Sequence, residues 1–182
     1  PGVAWAIGGI LPSPVNDDCR DFFWDAHPVW VFYFQAGQTF TRSNDSTDYS
    51  AILDLPVAES DPVDNTLLVR SSTPGSRARL DGGGTSATRW AISERWQWED
   101  IHHHFTAANI ISYGGFFRGC KFTSGVTLNG DFKGGVYHYC LFENLTRSNT
   151  YFFYLPYQNY FTLDVFMCRF TGCDEVYVYN YL

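Results

Sequence analysis

The chain has 182 residues, a formal net charge of −7 and an aromatic content of 19%. Its hydrophobic fraction of 45% excludes a disordered chain, and its length suits one domain with a substantial core. Charged residues make up only 17%, below the roughly 25% that is usual for soluble domains. Few charges and many aromatic rings predict that much aromatic surface is buried, either in the core or against a partner.

The basic residues argue against nucleic acid as a partner. Only two lysines are present, Lys121 and Lys133, and the arginines are scattered, whereas a phosphate-binding groove needs clustered cations. A membrane partner is not expected either, because no run approaches the ~20 apolar residues of a spanning helix. The first residues also lack the charged start and apolar core of a signal peptide.

Residues 1–63 are predicted to form an irregular N-terminal arm followed by cap strands. Glycines and prolines between residues 8 and 14 indicate loops. Residues 29–34 are strongly β-prone, and residues 51–55 are a second candidate strand. We expect these strands to form a cap or a first coil for the rest of the chain.

A repeat organises residues 64–182. Three segments, 117–122, 137–142 and 165–170, share a Cys-x-Phe core with an aromatic or branched residue three positions before the cysteine. Strand alternation places each cysteine and phenylalanine on one face, which predicts two interior ladders. The ladder residues are Cys120, Phe122, Cys140, Phe142, Cys168 and Phe170.

Fainter copies of the repeat occur upstream. Residues 101–105 place His103 at the cysteine position, and residues 77–80 place Ala78 there. The intervals from 78 to 103, 120, 140 and 168 are 25, 17, 20 and 28 residues, each about one coil of a β-solenoid. No amphipathic run of helical period with caps is present, so the chain is predicted to be all-β.

These segments resemble the pectate-lyase-like family of right-handed parallel β-helices. Residues 67–84 resemble that family's early coil, which ends in an aliphatic-Asp-Gly turn, and Asn144 after Cys140-Leu141-Phe142 resembles its later repeat. The resemblance implies a right-handed parallel β-helix of about five to seven coils over residues 64–182. It says little about function, because this fold serves many roles.

All five cysteines are interpreted as buried thiols that act as small apolar residues. Their odd number and wide spacing argue against a disulfide scaffold, and no Cys-x-x-Cys pair suggests zinc. The five are Cys19, Cys120, Cys140, Cys168 and Cys173.

One polar cluster is a weak candidate for a metal site. If His103 and Phe105 point inward, then Asp100, His102 and His104 share the outer face. Alternate residues of a strand lie ~6.6–7 Å apart, too far to chelate through backbone spacing alone, although long side chains can converge. A polar strip facing solvent or a subunit is the simpler interpretation, and we predict no cofactor.

Carboxylates are too sparse in the repeat to predict an enzyme. None recurs at the coil position of another, whereas lyases and hydrolases of this fold need carboxylates that face one groove. A polysaccharide lyase or hydrolase that uses Asp131 and Asp164 is the enzyme alternative. The acids considered are Asp131, Glu143, Asp164, Asp174 and Glu175.

Aromatic flanks and the chain end suggest contacts with partners. Residues 176–182 form an alternating strand with no polar cap after it, and such an open edge invites pairing. Aromatic side chains favour protein interfaces here, with carbohydrate binding as the alternative. The candidate interface residues are Trp5, Trp96, Trp98, Tyr177, Tyr179 and Tyr181.

These features favour a non-enzymatic structural protein. By analogy with other β-helices, we expect a phage capsid decoration (cement) protein on the virion surface. Its partners would be its own copies in a homotrimer and a major capsid protein, which the arm at residues 1–20 would hold. The alternative is a carbohydrate-active or carbohydrate-binding β-helix, such as a tailspike or an adhesin.

Overall fold

The computed structural model describes residues 5–7, 29–41, 66–82, 88–90, 96–106, 110–112, 115–129, 132–148, 151–155, 163–174, 176 and 178–180. Every regular element within these ranges is a β-strand, eighteen in all. The prediction of an all-β chain is therefore confirmed for the described residues.

The strands are short, as expected where turns recur at close intervals. The first nine are β1 (Trp5–Ile7), β2 (Val29–Phe34), β3 (Thr39–Thr41), β4 (Thr66–Ser71), β5 (Ala78–Gly82), β6 (Thr88–Trp90), β7 (Trp96–Glu99), β8 (Ile101–Phe105) and β9 (Ile110–Ser112). The others are β10 (Phe116–Arg118), β11 (Lys121–Ser124), β12 (Phe132–Lys133), β13 (Gly135–His138), β14 (Leu141–Glu143), β15 (Phe153–Leu155), β16 (Leu163–Phe166), β17 (Arg169–Thr171) and β18 (Val178–Asn180).

All pairings between these strands are parallel. The first sheet has the order β1-β2-β4-β7-β10-β13-β16, and the second has the order β17-β14-β11-β8-β5-β3. Two shorter sheets have the orders β12-β15-β18 and β6-β9. From β2 onward the chain adds one strand to the first sheet and then one to the second, repeatedly. This arrangement is consistent with a β-solenoid.

The described strands of residues 1–63 belong to the same sheets as the rest of the chain. β2 matches the predicted strand at residues 29–34 and pairs with β4 along its whole length. β1 pairs with β2 at the edge of the first sheet, and β3 pairs with β5 at the edge of the second. Strand pairing thus continues across residue 63. The candidate strand at 51–55 and the loops at 8–14 lie outside the described residues.

A column of stacked rings lies on the inner face of the second sheet. His103, Phe122, Phe142 and Phe170 lie in register on β8, β11, β14 and β17. Successive ring centroids are 4.9, 4.8 and 4.7 Å apart, with interplanar angles of 11°, 11° and 5°. These distances equal the spacing between neighbouring strands, so in-register parallel pairing itself places each ring on the next.

A second inner row lines the first sheet. Trp98, Phe117 and Tyr137 lie in register on β7, β10 and β13, and all three are buried. The rings of Phe117 and Tyr137 stack with centroids 4.9 Å apart and planes 3° apart. Both inner rows face the same interior, because Phe117 also packs edge-on against Phe122 of the second sheet. Aromatic packing between the two sheets therefore forms the core.

One upstream copy of the repeat, at residues 101–105, was aligned two residues out of register. The sequence repeat places His103 at the cysteine position, in line with Ala78. In the structure His103 pairs with Phe122 and with Leu80, so it occupies the phenylalanine position, and Ala78 pairs with Ile101. A shift of two residues leaves every side chain on the same face, so alternation alone cannot detect it.

The corner between the first and second sheets has the same backbone shape in four successive repeats. Asp100, Gly119, Tyr139 and Met167 have φ values of 52°, 64°, 58° and 50°, in the left-handed region. The backbone N–H groups of the first three donate hydrogen bonds of 2.9–3.0 Å to carbonyls of the following repeat. Because these corners are equivalent, the two sheets keep the same relative position from one repeat to the next.

Candidate functional site

The first, second and three-stranded sheets all end on the last strands of the chain. β16 is the final strand of the first sheet, β17 of the second and β18 of the three-stranded sheet. Within the described part of the chain, no further strand pairs with them. We call the surface formed by these three strands and the corner between β16 and β17 the open end.

Inward positions that are buried elsewhere are accessible at the open end. Val165 is 39% exposed, whereas Tyr137, in register with it one repeat earlier, is fully buried. Cys168 is likewise only partly buried, whereas Cys140 is fully buried. In the last described layer, the same side-chain pattern is therefore an exposed apolar surface.

An aromatic rim lies on the outer face of the first sheet and continues to the open end. His138 packs edge-on between Phe116 and Phe166, with centroid distances of 5.5 and 5.6 Å. Phe166 is 48% exposed and also contacts the ring of Tyr139 at 5.7 Å. Nε2 of His138 lies 3.0 Å from Oδ2 of Asp164. Strand alternation next to the inward Phe117 and Tyr137 could have revealed this rim, which the sequence prediction missed.

The corner residue Met167 completes the exposed apolar surface. It is 69% exposed and lies between β16 and β17. Met adapts its shape readily to an irregular partner surface. The aromatic rim and the open end meet at Phe166, which precedes Met167 in the chain.

A polar strip covers the outer face of the second sheet. One outward row consists of Arg79, His102, Lys121, Leu141 and Arg169, and the row beside it consists of Asp81, His104, Thr123, Glu143 and Thr171. The two rows are joined by ion pairs. Arg79 binds Asp81 within its own strand, and Nζ of Lys121 lies 2.6 Å from Oε2 of Glu143. The lysine ammonium group holds the pKa of Glu143 below its ordinary value.

Two histidines of this strip meet at one hydroxyl group. Nε2 of His102 and Nδ1 of His104 each lie 2.7 Å from Oγ1 of Thr123 on the neighbouring strand. Burial, followed by the charges of Arg79 and Lys121, lowers the pKa of His102 from 6.5 to about 4. Burial and Arg79 also lower the pKa of His104. Both imidazoles are therefore neutral at pH 7.

Asp100 does not join these histidines. It lies at the corner before β8, and its Oδ2 accepts a hydrogen bond of 2.8 Å from the backbone N–H of Gly75. Among the described residues, no group of three metal-ligating side chains converges. The three candidate ligands Asp100, His102 and His104 therefore do not come together, because Asp100 lies at the left-handed corner and its carboxylate binds the N–H of Gly75.

His103 points into the core, as expected from alternation. It is 1% exposed, and burial lowers its pKa to about 3. Its ring stacks on Phe122 and packs edge-on against Trp98. A neutral imidazole thus serves as a flat core ring in a column that is otherwise phenylalanine.

The cysteine ladder forms a row of hydrogen-bonded thiols. Cys120, Cys140 and Cys168 donate from Sγ to backbone carbonyls of the preceding repeat, at 3.4, 3.5 and 3.0 Å. Contact with the neighbouring Cys120 thiol raises the pKa of Cys140, and contact with Cys140 raises that of Cys168. These two thiols and Cys173 are not in disulfides. Cys19 lies outside the described residues.

The predicted interface aromatics are only partly described. Trp98 is 2% exposed and belongs to the inner row, so its assignment to a surface was wrong. Alternation correctly placed Trp96 and Trp98 on one face, but nothing in the sequence showed which face was buried. The side chains of Trp5, Trp96 and Tyr179, and the whole of Tyr177 and Tyr181, lie outside the described part of the chain.

The described carboxylates of the repeat lie apart. Glu143 is on the outer face of the second sheet, whereas Asp164 is on the outer face of the first. Oδ2 of Asp174 accepts a hydrogen bond of 2.6 Å from the backbone N–H of Arg147. Asp131 and Glu175 are not among the described residues. Each described acid thus has a partner of its own and does not share a groove with another.

Comparison with known proteins gives no match. No protein-family model, no curated protein and no solved structure is matched by this chain. Within the described residues, no helix has the length and hydropathy needed to span a membrane. Function therefore has to be argued from the surfaces of the molecule.

Proposed function

We propose that this chain is a right-handed parallel β-helix that forms a structural part of a larger assembly and docks through its open end. The right-handed path follows from the general rule that about 98% of crossovers between parallel strands of a sheet are right-handed. The β-helix interpretation also agrees with the resemblance to the pectate-lyase-like family. The exposure of the apolar side chains Val165, Phe166 and Met167 is the observation that supports the assembly function.

A docked partner would complete the interior at the open end. A row of apolar side chains placed over Val165 and Cys168 would restore the burial that Tyr137 and Cys140 have one repeat earlier. Full burial of a large apolar side chain such as Phe166 contributes about 1.5–3 kcal/mol. A few such residues are enough to hold a partner, provided that edge strands β16 and β17 also find hydrogen-bonding groups.

The most specific form of this proposal is a phage capsid decoration protein that acts as a homotrimer. Its support is the low charge, the high aromatic content and the analogy with β-helices that serve as virion parts. In that role a rigid stack provides the body, and residues 1–20 hold a major capsid protein. Deletion of residues 1–18 would then abolish attachment to the particle, and retained attachment would contradict this role of the arm.

The oligomeric state tests the assembly function. We would measure the native mass by light scattering at several concentrations for the wild type, Val165→Asp and Val126→Asp. Val126 is a matched control, because it is 38% exposed, close to the 39% of Val165, but follows β11 away from the open end. We expect the wild type and Val126→Asp to oligomerise and Val165→Asp to be monomeric. A wild type that is monomeric at every concentration contradicts self-assembly.

Carbohydrate binding is the second candidate function, and the aromatic rim is the observation that favours it. Phe116 and Phe166 flank His138, and Asp164 adds a carboxylate that can accept hydrogen bonds from sugar hydroxyls. A glycan array tests this function. Binding that is lost in Phe116→Ala while the native mass is unchanged would favour it over assembly.

A further inference from the structure

His102 and His104 face the same point above the second sheet. Alternate positions of a strand are ~6.6–7 Å apart along the backbone, yet the two side chains bring one ring nitrogen each to 2.7 Å from Oγ1 of Thr123. Their ring centroids are 6.1 Å apart. The backbone spacing does not bring the two ring nitrogens together. Their side-chain conformations do, and the hydroxyl group of Thr123 lies between them.

The hydrogen bonds at Thr123 constrain the two ring nitrogens. A single hydroxyl hydrogen can be donated to one ring nitrogen only, so the second nitrogen must itself donate to Oγ1. Binding of an ion would require one ring to change its tautomer, which imidazole does readily in water.

The neighbouring charges are arranged so that a cation is tolerated. Arg79 and Lys121 lie beside His102 in the same outward row, and each would repel an ion. Each is also paired with a carboxylate of the adjacent row, Arg79 with Asp81 and Lys121 with Glu143. Because Arg79 and Lys121 are each paired with an anion of the strip, the repulsion that they exert on an ion is reduced.

We propose that His102 and His104 bind one divalent transition-metal ion, using Nε2 of His102 and Nδ1 of His104. Two imidazoles select ions such as Ni²⁺, Cu²⁺ or Zn²⁺ over Mg²⁺ and Ca²⁺, which prefer oxygen. Water supplies the other ligands, and the ion takes over the two contacts that the Thr123 hydroxyl group makes. His103 takes no part, because it points into the core between the two.

Calorimetric titration of the full chain with Ni²⁺ at pH 7.5 tests this proposal. Ni²⁺ is used because Cu²⁺ would also oxidise free thiols. The variants are His102→Gln and His104→Gln, with His138→Gln as the matched control on the outer face of the first sheet. All three sites are on outer faces, so circular dichroism should show an unchanged fold.

We expect one Ni²⁺ ion per wild-type chain and an affinity at least tenfold lower in either His102→Gln or His104→Gln, because loss of even an outer partner of a metal ligand costs 10–100-fold. His138→Gln should bind like the wild type. Thr123→Ala should bind at least as tightly, since it keeps both ligands and removes the hydroxyl group that competes for them without placing another atom there. Equal affinity in the wild type and His102→Gln, or loss of binding in a folded Thr123→Ala variant, would overturn the proposal.

Discussion

His103 and Phe122 lie in register on neighbouring strands, and their rings stack with centroids 4.9 Å apart and planes 11° apart. The column continues through Phe142 and Phe170 with nearly the same spacing. A histidine thus takes a position that the next repeats give to phenylalanine. Because it can bind a proton and phenylalanine cannot, this one position links the core to pH.

The first prediction concerns acid stability. The pKa of His103 is about 3 in the folded chain and 6.5 when exposed, so the unfolded chain binds the proton more readily. Stability from this site is fully present above pH 6.5 and is lost as the pH falls toward 3. The free energy of unfolding should decrease by up to ~1.4 kcal/mol per pH unit in that window.

Replacement of the ring isolates this effect. His103→Phe keeps the stack and removes the titration, so its free energy of unfolding should depend less on pH between 6.5 and 4 in urea denaturation. Some dependence should remain, because the pKa values of His102 and His104 are also lowered. Phe142→Leu, further along the same column, changes a core ring without removing a titratable group, and it is the control that should keep the slope of the wild type. If the free energy of unfolding depended on pH equally in His103→Phe and the wild type, His103 would bind its proton as readily in the core as in the unfolded chain.

The second prediction concerns the position of a ring within the column. Phe142 stacks on Phe122 and Phe170 and is fully buried, so Phe142→Ala should lower the free energy of unfolding by about 3–5 kcal/mol. Phe170, at the open end, has a stacked neighbour on one side and is partly exposed. Phe170→Ala should cost less in urea denaturation of the isolated chain. An equal cost would mean that the open end is covered in solution.

The third prediction concerns thiol reactivity. Contact with Cys140 raises the pKa of Cys168, which lowers the fraction of reactive thiolate even though Cys168 is only partly buried. Alkylation by iodoacetamide at pH 8, followed by peptide mass spectrometry, should label Cys168 slowly in the folded wild type. Cys140→Ala should increase the rate at Cys168, whereas Cys173→Ala should leave it unchanged. An unchanged rate in Cys140→Ala would exclude Cys140 as the cause.

The fourth prediction concerns the corner between the two sheets. A Cβ atom at Gly119 would lie 2.6 Å from Oδ1 of Asp100, and the φ of Gly119 is +64°. Gly37 has a φ of +74° and open space around it, so Gly37→Ala reports the backbone cost alone, roughly 1–2 kcal/mol. Gly119→Ala should cost more, because Asp100 must also move and release the N–H of Gly75.

A double-mutant comparison separates the two contributions at the corner. With Asp100→Ala already present, Gly119→Ala should cost no more than Gly37→Ala, since the clashing carboxylate is gone. Free energies of unfolding from urea titrations of the four variants give the coupling. A coupling near zero would mean that Gly119 and Asp100 do not interact in solution.

The sequence predicted which side chains face inward better than it predicted their partners. The Cys-x-Phe pattern identified Cys120, Phe122, Cys140 and Phe142 because period-two alternation and repeated residue types act within a few positions. It misaligned His103 by two residues, since such a shift keeps the face. Register is fixed by hydrogen bonds between repeats about twenty residues apart, and a single sequence does not display them.

The exposure of individual side chains was also harder to predict, because it too depends on the register between repeats. Trp98 belongs to an inner row, although a tryptophan in a strand also suits an interface. The contact of His102 and His104 with Thr123 depends on a residue from the next repeat, and so could not be derived from the spacing of the histidines. What the sequence could not supply in each case was the position of a neighbouring repeat.

The open end also affects the order in which the repeats unfold locally. Each repeat contacts mainly the repeats directly before and after it, so the stack opens one layer at a time rather than all at once. The layer of β16 and β17 has a described neighbour on one side only, so we expect it to open before the layers in the middle of the stack. A partner bound at this end should therefore slow amide hydrogen exchange, first in the layer of β16 and β17 and then in the preceding layers.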